Sequence, residues 1–123
     1  MTAFAHVEPD PQVFRVAELV AYQTGSVVSR QVMKKDTGTV TVFAFAEGEG
    51  LSEHTAPFDA LVHILDGAAE VTIAGTPFRL AAGDAIVLPA HRPHSLRAVL
   101  AFKMMLTMIR TPETPRAQAA PTR

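Results

Sequence analysis

The sequence has no cysteine, no tryptophan and a single tyrosine in 123 residues. Without thiols there are no disulfides, no thiolate metal sites and no cysteine nucleophile, and the chain fits a reducing compartment. Aromatic residues make up only 7%, so a core has to be built largely from Val, Leu, Ile, Ala and Met. An excess of charge is missing too: 11 Lys and Arg stand against 12 Asp and Glu, a net charge of -1. That balance supplies no basic stripe for phosphates, and nucleic acid is not an expected partner. No apolar run approaches the roughly 18 residues of a membrane-spanning helix. The N-terminal stretch carries Glu8 and Asp10 where a signal peptide would have a basic region before an apolar one. The expectation is a cytoplasmic protein with no membrane partner.

What is present is ordinary globular material, 48% hydrophobic and 19% charged, in one domain's length. The chain divides into an N-terminal arm (1–25), a β-domain (26–110) and a tail (111–123). The tail, TPETPRAQAAPTR, has three prolines and no large apolar residue, which predicts disorder. In the arm, Val13 to Tyr22 is apolar at seven positions without a clean period, and a lead-in strand or a short helical turn both fit. From Ser26 the pattern alternates with period two in short segments broken by turn residues. Strands are predicted over 26–33, 39–46, 60–65, 69–74, 78–80, 85–89 and 101–109. Asp36 and Gly38 suit a reversal after the first. The dipeptide Asp66-Gly67 suits a two-residue hairpin. Short strands at roughly 8 to 12 residue spacing indicate an all-β sandwich or small barrel.

Two spacings are more specific than the strand count. From Gly48, five residues lead to His54, and Gly67 follows thirteen positions later. From Gly83, five residues lead to Pro89, and His94 follows after Ala-His-Arg-Pro. Both halves resemble the motif pair of the cupin superfamily, G-x5-H-x-H-x3-E-x6-G and G-x5-P-x-G-x2-H-x3-N. The resemblance implies a double-stranded β-helix, or jelly-roll barrel, with a site in its interior. It also implies a divalent metal on two histidines and a glutamate of the first motif and the histidine of the second. Here only His54 and His94 remain of those four. The other two positions are Ala56 and Ala60, the closing asparagine is Ala98, and the second-motif glycine is His91.

The chemistry of the remaining residues leaves two readings open. A Zn, Fe, Mn or Ni site normally uses at least three protein groups, and two imidazoles alone hold a metal weakly. Asp59, next to the vacant glutamate position, is the nearest candidate for a third ligand; as a turn residue it would instead accept backbone hydrogen bonds. His91 either caps the mouth of the pocket or faces solvent. His63 has the parity of Leu61 and Leu65, opposite Val62 and Ile64, and belongs on the outer face. Lys103 interrupts the last strand and is expected to snorkel on the outer surface. Met104, Met105 and Met108 are expected to fill the core.

The expected function is therefore a barrel binding a small molecule at a pocket of His54, Asp59, His91 and His94. A divalent metal at His54 and His94 is either absent or weakly held. The alternative is a metal-dependent enzyme of dioxygenase or isomerase type. A homodimer is expected from the resemblance and from the apolar arm. Phe14, Val16, Leu19, Val20, Val27 and Val28 would pack on a partner's sheet, or else close the chain's own barrel.

Overall fold

Alternation of apolar and polar side chains produces strands wherever one face can be buried, and nine form among the described residues. The computed structural model describes residues 10–110; the expected tail and the first nine residues of the arm lie outside the described residues. The strands are β1 (Val27–Lys35), β2 (Gly38–Phe45), β3 (Gly50–His54), β4 (Asp59–Asp66), β5 (Ala68–Ile73), β6 (Thr76–Ala81), β7 (Ala85–Leu88), β8 (His94–Ala98) and β9 (Phe102–Ile109). They pair antiparallel into a five-stranded sheet, β1-β2-β9-β4-β7, and a four-stranded sheet, β3-β8-β5-β6. Two sheets with the chain crossing repeatedly between them form the expected all-β jelly roll.

The core lies between the sheets. Phe45, Val62, Ile64, Val71, Phe102 and Met104 are fully buried. Phe45 and Phe102 are register partners on β2 and β9, with ring centroids 4.5 Å apart and planes inclined by 6°. Burying each such ring stabilises the fold by roughly 1.5 to 3 kcal/mol. A second apolar cluster lies on the outside of the five-stranded sheet. There Val16, Leu19 and Val20 cover Val42 and Ala44 together with Val28, Val32, Leu65 and Met105. The arm residues form a short 3-10 turn at Val16–Glu18, which settles the two shapes the sequence left open in favour of the turn.

Polar side chains fasten this segment. The Lys103 ammonium donates to the Ala17 carbonyl at 2.6 Å and sits 5.2 Å from the centre of the Tyr22 ring. The Tyr22 hydroxyl donates a short hydrogen bond to Asp66. Lys103 thus points outward as expected, but it ends under the N-terminal segment rather than in open solvent.

One expected turn is overturned. Asp66-Gly67 does not close a hairpin, because β4 and β5 belong to different sheets. Gly67 has φ +80, and a Cβ there would lie 1.9 Å from the Ala101 carbonyl oxygen. The glycine is needed where the chain crosses between sheets against β9. The two-residue hairpin instead joins β5 to β6 through Ala74-Gly75, both with positive φ, as a type I′ turn requires.

Candidate functional site

Alternation did not pick out β3 and β8, the neighbouring strands on which the motif spacing places the two histidines. His54 ends β3 and His94 opens β8. The pair are register partners, although the pairing is irregular between Leu51 and His54. Ile73, at the end of β5, flanks His94 on its other side. Both imidazoles therefore stand at one end of the four-stranded sheet. On β8 the buried residues are His94, Leu96 and Ala98, so His94 faces the interior, 7% exposed. His54 is exposed.

The two rings meet edge to face, with centroids 4.4 Å apart and planes inclined by 70°. His54 Nδ1 lies 2.7 Å from the Ser52 carbonyl oxygen. His94 Nδ1 lies 3.1 Å from the Arg92 carbonyl oxygen. A carbonyl only accepts, so both Nδ1 atoms carry the proton. In the neutral rings both Nε2 atoms are then left with a free lone pair. Burial pushes the His94 pKa below the usual imidazole value, the Arg92 carbonyl partly offsets this, and the neighbouring His54 pushes in the same direction as burial. At neutral pH the inner member of the pair is an uncharged acceptor.

The remaining expected site residues do other work. The Asp59 carboxylate accepts the Ala90 backbone N–H at 2.8 Å, tying the start of β4 to the turn before β8. His91 is exposed, with φ +67, and its N–H donates to the Ala56 carbonyl at 2.7 Å. That left-handed backbone is what the motif's glycine would supply without a Cβ penalty. Together the two bonds brace the Pro89–Pro93 turn that aims His94. Ala60 and Ala98 are buried among apolar neighbours. His63 is half-buried and alternates with the buried Val62 and Ile64, on the outer face.

A three-ligand metal centre does not fit these residues. Among the described residues no three His, Cys, Asp or Glu side chains group to hold an ion, and an Asp59 carboxylate oxygen is engaged by Ala90. The chain offers two imidazole lone pairs and, at the positions of the other two motif ligands, methyl groups.

Comparison with known proteins gives a consistent family. No curated protein matches the chain. The family model described as "Cupin domain" matches residues 41–109. A conserved protein of unknown function from Streptococcus pyogenes is similar at 36% identity, over 87% of this chain and 93% of that one, with a TM-score of 0.79. A cupin 2 conserved barrel domain protein from Leptotrichia buccalis is 40% identical over 79% of this chain and 47% of its own, TM-score 0.77. A cupin superfamily protein from Desulfitobacterium hafniense is 28% identical over 84% and 94%, TM-score 0.78. With the motif spacing, the two-sheet topology and these matches together, the chain belongs to the cupin family.

Proposed function

We propose that this cupin binds a small, largely apolar molecule inside the barrel, and that His54 and His94 hydrogen-bond its polar group. The observation that supports the reading is the fixed tautomer of both rings. Each Nδ1–H is spent on a backbone carbonyl two residues earlier, so each Nε2 is presented as an acceptor. Such a pair suits a ligand that offers a hydroxyl or N–H, and the residues beside His94, Ile73 and Leu96, are apolar. Binding needs only the two acceptors as they stand, which makes it the primary reading. The lack of cysteine suits a reducing, cytoplasmic setting.

The metal-dependent enzyme is the second reading, and one observation favours it. Metal-ligating histidines commonly donate their second ring N–H to a backbone carbonyl, as both rings do here. Two ligands nevertheless give weak binding. Untagged protein should retain no stoichiometric metal after dialysis against a chelator, and added Zn2+, Mn2+, Fe2+ or Ni2+ should bind weakly. His54→Ala and His94→Ala should each abolish that weak binding, whereas His63→Ala should not. One tightly held ion per chain would replace the binding reading with the enzyme.

A further inference from the structure

Hydrogen-bond accounting at the histidine pair restricts what it can hold. The Ser52 and Arg92 carbonyl oxygens take both Nδ1–H groups, so the neutral pair offers two acceptors and no donor. A carbonyl, carboxylate or phosphate brings only acceptors and finds no hydrogen to receive. The ligand group at this point has to donate. With ring centroids 4.4 Å apart, adjacent donors on one ligand can serve both rings. His94 is buried and His54 exposed, so a ligand reaches the pair from the His54 side. An Nε2 covered by a ligand without a donor loses its water and gains no bond in exchange. A single hydroxyl has one hydrogen and leaves one ring in that state.

Charge narrows the group further. From β2 to β9, every residue in register with the buried rows between the sheets is apolar, threonine or histidine. On the four-stranded sheet Glu70, Arg79 and Arg97 occupy the opposite, outward row, where Arg97 pairs with Glu70 at 3.4 Å. Those inward rows hold no carboxylate to balance an ammonium and no cation to balance an acid. An ammonium ion has the donors but brings an unpaired charge. A primary amide has two N–H groups, but its carbonyl oxygen meets no donor at the pair. Two hydroxyls on neighbouring carbons supply two hydrogens without either penalty. Beside the pair, Ile73 is the register partner of His94 and Leu96 follows on the inward row of β8. Half-buried Leu51 pairs with Leu96 from β3. These neighbours suit an apolar carbon frame behind the hydroxyls.

We infer that the polar end of the ligand is an uncharged vicinal diol on an apolar ring, with one hydroxyl donating to each Nε2. The inference rests on the reading that the barrel binds a small molecule at His54 and His94, and it adds the class of that molecule. Two preferences follow from it. The site favours two adjacent hydroxyls over one, and a neutral ring over its carboxylic acid.

Catechol is the probe, with phenol, catechol monomethyl ether and benzoate for comparison. Isothermal titration of the full chain at neutral pH, freed of metal and kept under argon, should rank catechol about 10-fold above phenol. The monomethyl ether keeps the shape of catechol but has one hydroxyl hydrogen, and it should bind like phenol. Benzoate should not bind. His54→Ala, with unchanged far-UV circular dichroism, should bring catechol down to the phenol level, whereas His63→Ala should keep the preference. The ether makes the same deletion on the ligand, so the test does not depend on the folding of the variant. Phenol or the ether binding as tightly as catechol would overturn the diol and leave the single-hydroxyl reading standing. Benzoate binding as tightly as catechol would overturn the uncharged class. A catechol preference that survives in His54→Ala would overturn the assignment of one hydroxyl to each ring. Binding of none of the four would overturn the diol together with the reading beneath it.

Discussion

His91 shows what one backbone angle does at this site. A non-glycine residue at φ +67 costs about 1–2 kcal/mol, less the entropy a glycine would lose. His91→Gly is therefore expected to raise stability by roughly 0.5–1 kcal/mol, read as a higher urea midpoint with an unchanged slope. A lower midpoint would mean that the imidazole itself makes a contact worth more than the strain. His94 sets a pH dependence of its own. Its folded pKa is depressed by burial first and by His54 last, so the unfolded chain binds the proton more tightly. The stability from keeping His94 neutral is complete above the unfolded value near 6.5 and is lost as pH falls below it toward the lower folded value. The melting temperature should drop across that window, and His94→Asn should flatten the drop. A wild-type profile that is level from pH 7.5 to 5 would contradict the burial argument.

Among the elements, glycine positions separate what alternation encodes from what crossing geometry demands. Gly67→Ala has to accommodate both a positive φ and a Cβ 1.9 Å from the Ala101 carbonyl. A loss of about 2–4 kcal/mol is expected, since a backbone shift is the only relief. Chemical denaturation measures it, and a loss under 1 kcal/mol (roughly the helix-interior glycine effect) would show that β4 and β5 are not rigidly joined there. The sequence made Asp66-Gly67 look like a hairpin because local turn chemistry does not reveal which sheet the next strand joins. Seven strands were legible from alternation, including β4 and β9, whose inward faces are continuous apolar rows. β3 and β8 were not. β3 is a short edge strand that is mostly exposed, Gly-Leu-Ser-Glu-His, without a clear face. β8 does alternate, as His94, Leu96 and Ala98 bury while Ser95 and Arg97 do not, but the preceding Pro-rich turn masked it. The histidine pair was legible only through motif spacing, because forty residues of chain separate its members. Asp59 as a brace for Ala90 was one of two readings that the sequence could not separate, since a carboxylate beside a turn serves either use.

For the whole molecule, the outside of the five-stranded sheet is a second, smaller core, closed by the N-terminal segment. Lys103 anchors that segment through a charged hydrogen bond to Ala17, a type worth about 1.5–3 kcal/mol. Lys103→Met keeps the stem but loses the bond. It should lower stability by about 1–2 kcal/mol and speed hydrogen exchange in Val16 to Tyr22 before exchange in β9. Equal protection of both segments in the variant would show that apolar contacts alone hold the segment.

Tyr22 is the chain's one tyrosine, and tryptophan is absent. Its hydroxyl donates to Asp66, and both burial and that carboxylate raise its pKa. The protein thus carries a single phenolic fluorophore and no indole, placed at the fastening of the N-terminal segment and held against a quenching carboxylate. Its emission reports one local event without any label. Brightening before the far-UV signal changes would time the release of the segment separately from the unfolding of the barrel.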